Sequence, residues 1–426
     1  MKKVVKKIAL LLIVFGIGVE VTLLYTNNKY KVYEEEEPKQ IKKHVDTISM
    51  MLETEAGSGN YEMTTRESWP TDGYVFNTEL SKCENGSELS WDDTNKRVLM
   101  SGNVSDKCYV YFDVYVPPRF DETCDETTLA CHVAKLYTGT QGENGLYYHD
   151  SSLTNGAGDS SYRYSGANPN NYVCFGSNES TCPTDNLYRI IGVFGNNVKL
   201  IKYDYATSAL LGTDGNYQGT GTPNASYYKG SLTTINTYYW NNSTKKNTWS
   251  ESLLNKTNLN TNFINNIGTE WANKIATTTW KVGGNTYANI RDVIPATAYQ
   301  NEIVNPVTTN TTDNATEYSA KIGLMYVSDY GFGADPSAWA TTLYNYDGSV
   351  NGSTIRSLNW MHMGYYDWTL SRLADNSDSA FRVYDDGHVS HNRVYLHDAV
   401  RPSFNLESSI TYVSGDGTQN SPIRIN

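Results

Sequence analysis

The chain has 426 residues, enough for two or three domains, and 39% of them are hydrophobic. Only 19% are charged, the net charge is −12, and much of the polarity comes from Asn, Thr, Ser and 34 Tyr. A nucleic-acid partner is set aside, because phosphate binding needs a basic patch and no Lys/Arg cluster lies beyond the N-terminus.

The chain opens "MKKVVKKIALLLIVFGIGVEVTLLYTNN". Lys2, Lys3, Lys6 and Lys7 precede an apolar run from Ile8 to Leu24, interrupted by Glu20 and Thr22. The positive flank keeps the N-terminal tip in the cytoplasm and exports the remainder of the chain. No small-x-small cleavage site comes after the run, so residues 1–28 are expected to form an uncleaved single-pass membrane anchor. Cleavage of the segment as a signal would instead leave the remainder secreted. Residues 29–60 carry the acids Glu34 to Glu37, then Pro38, then Ile41, Val45, Ile48 and Leu52 at helical spacing. This spacing predicts a stalk helix.

Residues 61–117 predict a small all-β domain. "ELSWDDTNKRVLMSG" gives two short strands around Asp93-Thr94-Asn95, and "CYVYFDVYV" alternates as a strand does. Pro117-Pro118 marks its end, and residues 118–134, with "FDETCDETTLAC", are expected to be an acidic linker. The six cysteines fall into close pairs: Cys83 with Cys108, Cys124 with Cys131, Cys174 with Cys182. Neighbour pairing is expected because each pair brackets a turn-rich segment, although sequence alone leaves other pairings open. The C-x2-4-C spacing of a metal site is absent, and disulfides imply an oxidising exterior.

Residues 135–426 predict one long domain. "NLYRIIGVFGNNVKLIKYD" is a hairpin about Gly195-Asn196-Asn197. "TWSESLLNKTNLNTNFINNIGTEWANKIA" spaces Leu253, Leu254, Leu259, Phe263, Ile264, Ile267, Trp271 and Ile275 as one or two helices would. "KIGLMYVSDYGFG", "FRVYDDGHV" and "VRPSFNL" predict a return to strands, with Pro402 at an edge or a strand start.

H-E-x-x-H, G-x-S-x-G and G-x-x-x-x-G-K-[ST] are absent, and no catalytic residue, metal or cofactor is assigned. Four of the seven histidines lie between His362 and His397. His388, His391 and His397 are the strongest metal candidates, but spacings of three and six on a hairpin put the first two on opposite faces of a strand. Asp385 and Asp386 are read as turn formers ahead of Gly387.

Several stretches in order, "YRYSGANPNNYVCF", "LYRIIGVFGNNVKLIKYD", "KIGLMYVSDYGFG", "DWTLSR", "DGHV", "VRPSFNL" and "VSGDGTQNSPIRI", resemble a broad group of uncharacterised surface proteins of Gram-positive-type bacteria. The closing pattern is similar to proteins with a C-type-lectin-like fold, a superfamily that includes the formylglycine-generating enzymes. The resemblance implies an α+β fold in which a lectin-like domain over 135–426 binds a ligand outside a bacterial cell. No cysteine comes after Cys182, so the late cysteine pair of formylglycine-generating enzymes is missing and that activity is not carried over. The Glu-Pro-Asn and Trp-Asn-Asp calcium motifs of sugar-binding C-type lectins are missing as well.

In such a fold the segment from Trp360 to Val400 should supply much of the ligand face. Tyr365, Tyr366, Asp367, Arg372, Tyr384, His388, His391, Asn392, Arg393, Tyr395 and His397 suit adaptable polar contacts with an extracellular glycan or protein. Trp368, Phe381, Val383, Val400 and Phe404 suit the scaffold beneath. An extracellular enzyme acting on glycans and a structural envelope component are the rival readings.

Overall fold

A computed structural model of the chain describes residues 47–102, 106–307 and 317–426. Its secondary structure is mixed, mostly small sheets with few helices, in keeping with an α+β class. The apolar run Ile8 to Leu24 lies outside the described residues; among those described, no helix is long and apolar enough to cross a membrane. The chain divides into two compact units, before and after the Pro118–Arg119 junction.

The first unit corrects the stalk expectation. Thr47–Glu53 is a strand, paired in parallel with Lys107–Val114 and antiparallel with Tyr61–Met63. Ile48, Met50 and Leu52 recur with period two and pack into one core with Trp69, Val98, Val110 and Phe112. Ile48 and Leu52 are four residues apart, a spacing that a helix and a strand both satisfy, and Met50 between them decides for the strand. Ile41 and Val45 lie outside the described residues. The β unit therefore begins before residue 61. The expected hairpin is present as Glu88–Asp92 and Arg97–Ser101, and Lys107–Val114 also pairs with Tyr74–Phe76 and Lys82–Cys83.

Three disulfides join Cys83–Cys108, Cys124–Cys131 and Cys174–Cys182. Cys83 and Cys108 face each other across two paired strands, so the bridge fastens a two-residue strand to the middle of the sheet. Among the described residues the unit's apolar core is small, centred on Met50, Trp69, Val98, Val110 and Phe112, so this bridge should carry a large share of its stability. Cys83→Ser with Cys108→Ser is expected to cost about 3 kcal/mol by loop closure, read as a lower melting transition of the first unit. An unchanged transition would contradict this.

The second unit is built on an antiparallel sheet in the order Ile322–Gly323, Ser403–Asn405, Asn197–Lys202, Leu187–Phe194, Ser161–Tyr164, Leu146–His149, with Tyr172–Cys174 also pairing Leu187–Phe194. The hairpin turns at Gly195, whose φ of 60° favours glycine. A bulge between Ile190 and Gly192 brings Gly192 against the neighbouring strand, where an added Cβ would collide with the Tyr162 carbonyl oxygen. Pro402 precedes its strand, and that strand is flanked on both sides.

Two expectations change here. Residues 119–134 are not a linker: Phe120–Thr123 and Leu129–Ala134 are short helices. Leu129, Ala130, Val133 and Ala134 are buried in the main core. Glu122, Asp125 and Glu126 are exposed in caps and turns and Asp121 is buried against Arg119 and Tyr162, and this run of acids masked the apolar face. "KIGLMYVSDYGFG" yields only the strand Ile322–Gly323 before the helix Val327–Phe332 begins. Asp329 accepts the Tyr326 backbone N–H at the start of that helix, so a capping carboxylate overrides the apolar run. The expected helical stretch is found as Trp249–Glu251, a π-type segment Leu254–Phe263, Ile264–Ile267 and Thr269–Ala272.

Candidate functional site

The candidate face rests on a three-stranded antiparallel sheet, Asp367–Arg372, Ser379–Val383 and Val389–Arg393. Its inner side is fixed by Trp368, Leu370, Phe381, Val383 and Val389, all buried. Two indoles lock it to the adjoining sheet: Trp368 Nε1 donates to the Tyr238 carbonyl at 2.9 Å, and Trp240 Nε1 to that of Thr369 at 3.0 Å. Val400 and Phe404 are buried too, so the five scaffold side chains read from sequence are all interior.

With Phe381 and Val383 turned inward, period two sends Arg382 the other way. Its guanidinium packs against the rings of Tyr366 and Tyr384, 4.4 and 4.2 Å from their centroids. Its Nη1 donates to Asp398 Oδ1 at 2.7 Å. Asp398 is buried, and burial pushes its carboxyl upward while Arg382 holds it down.

From there a connected row of rings extends over the sheet. Tyr365 meets Tyr366 at 5.6 Å, Tyr366 meets Tyr384 edge-on at 5.4 Å, and His388 stacks on Tyr384 at 4.0 Å. Tyr344 abuts His388 at 5.7 Å. Arg291 then lies 5.2 Å from the Tyr344 ring and 5.0 Å from that of Tyr287, which in turn meets His391 at 4.8 Å. Tyr287 and Arg291 are exposed and the other aromatic members half-buried, so edges and faces remain open to solvent.

The turn that presents Tyr384 and His388 is supported from inside. Tyr384 N–H donates to the His388 carbonyl, and Gly387, at φ 106°, closes the reversal. Asp386 Oδ1 lies 2.6 Å from His388 Nδ1, and Asp385 turns its carbonyl inward to His362 Nε2 at 2.9 Å. Asp385 and Asp386 thus serve the turn. His362 is buried, and burial together with Lys229 lowers its pKa to about 3, so the ring is neutral and donates from Nε2.

Of the expected ligand residues, the structure joins Tyr365, Tyr366, Tyr384, His388 and His391 in this row. Arg393 and Tyr395 touch each other beside Lys245, and His397 meets Tyr239, so these form separate contacts. Asn392 is half-buried, its side-chain oxygen accepting the Arg393 N–H. His388, His391 and His397 each meet different aromatic neighbours.

Asp367 and Arg372 are corrected: both are buried and neither is available to a ligand. Arg401 Nε donates to Asp367 Oδ2 at 2.6 Å, and burial still raises the Asp367 carboxyl to about 6. Arg372 Nε donates to the Val282 carbonyl at 2.9 Å. Sequence reasoning also missed Arg382, Tyr287, Arg291 and Tyr344. Strand alternation could have exposed Arg382; the other three come from distant loops that only the tertiary fold brings near.

A groove of about 390 Å³ elsewhere in the unit is lined by Asn144, Ser165, Asn168, Pro169, Asn170 and Asp416, among others, and holds none of the expected residues. Comparison with protein-family models, with curated proteins and with solved structures gives no match for this chain.

The buried His362 makes the site's support sensitive to acid. Its folded pKa lies below the ordinary 6.5, so the stability it contributes is present above pH 6.5 and is lost as pH falls toward 3. Between pH 7 and pH 5 the loss is expected to reach about 2 kcal/mol, and His362→Gln should flatten that part of the denaturation-versus-pH curve. A His362 ring that titrates near 6.5 by NMR would refute this.

Proposed function

We propose that the second unit is a ligand-binding domain of a membrane-anchored protein on a bacterial cell surface, and that the Tyr365–His391 ring row grips an extracellular glycan or protein. The observation that carries this reading is the row itself: partly exposed tyrosines and histidines, interleaved with Arg382 and Arg291, set on a rigid sheet. Such side chains offer large contact area at low entropic cost together with polar edges, the chemistry of adaptable recognition surfaces. A C-type-lectin-like arrangement of the unit is part of the proposal and rests on the sequence resemblance. The three disulfides accord with an exported location.

Binding is favoured over glycan hydrolysis because the carboxylates beneath the row are sealed and engaged. Asp367 is held by Arg401 and Asp398 by Arg382, whereas hydrolysis needs two carboxyls open to the substrate. The test is to screen the full chain against arrays of bacterial and host glycans and of cell-surface proteins, then to repeat with Tyr287→Ala, Tyr344→Ala and Tyr384→Ala combined. The variant is expected to lose at least tenfold in affinity for whatever the wild type captures. The Tyr287 change alone should alter stability by less than about 0.5 kcal/mol, since the side chain is exposed. Undiminished capture by the triple variant would defeat the proposal.

A further inference from the structure

Away from the ring row, Lys199 on the strand Asn197–Lys202 meets Asp329 on the helix Val327–Phe332 in the interior of the second unit. Both residues are buried, and Lys199 Nζ lies 2.6 Å from Asp329 Oδ2. The ammonium has three N–H donors, and among the described residues Asp329 is its one oxygen partner within hydrogen-bond reach. Aromatic rings lie around it, Tyr326 at 4.6 Å, Trp280 at 5.5 Å and Phe194 at 5.7 Å from Nζ, and the charges of Arg163 and Glu302 also act on it. Asp329 is held rigidly, because Oδ2 also accepts the Tyr326 backbone N–H. Oδ1 has no hydrogen-bond partner and faces Arg163 Nη1, itself without one, at 3.7 Å.

We propose that Lys199 and Asp329 condense to an intramolecular amide that cross-links the central strand to this helix. A neutral pair lacks the two buried charges and one of the three ammonium donors, and in a dry site it is the form that can react. In the reaction Lys199 Nζ forms a bond to Asp329 Cγ, and the bond from Cγ to Oδ2 breaks. Oδ2 takes two of the three ammonium protons and leaves as water, while the third stays on the amide nitrogen. Oδ1, facing Arg163, becomes the amide carbonyl oxygen, and charge developing on it is met by that guanidinium. Atoms and charge balance with no added reactant.

Two further features support the step. Burial lowers the Lys199 amine, which favours its nucleophilic neutral form. Burial also raises the Glu302 carboxyl to about 7, so a proton can reside there at neutral pH. Glu302 binds the hydroxyl and N–H of Ser328, the residue before Asp329. The fold supplies a fixed reacting pair and excludes the water that would reverse the reaction.

The experiment is mass measurement on the full chain, denatured and with disulfides reduced. The expected mass is one water below that of the sequence. Tryptic digestion should yield a branched peptide joining the segments around Lys199 and Asp329, and Lys199→Arg should restore the missing water. Because a buried substitution can prevent folding, the wild-type digest is decisive alone. Linear peptides cleaved after Lys199 that account for all of the protein would overturn the proposal, as would a missing water mapped to any other pair.

Discussion

Arg382 has to satisfy a buried carboxylate and two aromatic faces at once, and the geometry of the candidate site depends on that constraint. Its strand neighbours Phe381 and Val383 are sunk in the core, which leaves the guanidinium no route inward. Asp398, fixed by burial, sets where the charge must sit, and Tyr366 and Tyr384 are drawn over it by the attraction of their rings for the cation. Removing one partner of such a pair strands the other, which costs more than the pair contributes when intact. The rings are thereby held in place by electrostatics from below, while their outer edges stay free.

The same logic recurs beneath. Arg401 ties Asp367 to the Met361 carbonyl, so the start of the first sheet strand and the segment leading into it are bound at one point. Buried indoles donating to neighbouring backbone then join this small sheet to the next. A surface built this way is rigid without being apolar, and rigidity of the unbound form reduces the ordering cost of capturing a ligand. The turn at Gly387 adds the one histidine, His388, that stacks directly on the row.

Much of this architecture was legible in residues, for identifiable reasons. The hairpin about Gly195 carries turn chemistry and two apolar runs, which leave little alternative. The buried scaffold from Trp368 to Phe404 announces itself through strand alternation and residue size. Where the sequence misled, two periods coincided or polar residues served hidden roles. Ile48 and Leu52 fit a helix until Met50 is counted with them, and the acids of 120–128 disguised helices that belong to the core. Asp367 and Arg372 looked like surface contacts because a charged residue gives no sign in sequence of the partner that makes its burial tolerable. Tyr287, Arg291 and Tyr344 had no local signature, since their role exists only through contacts between loops far apart in the chain.

Recognition on the ring row, and not in the asparagine-lined groove, is the central claim. Hydrogen–deuterium exchange of the full chain, with and without a ligand recovered from the binding screen, separates the two most directly. Ligand-dependent protection confined to the backbone of 384–391, 287–291 and the neighbourhood of Tyr344 is the predicted result. Protection centred on Asn144 and 165–170, with the ring row unchanged, would contradict it.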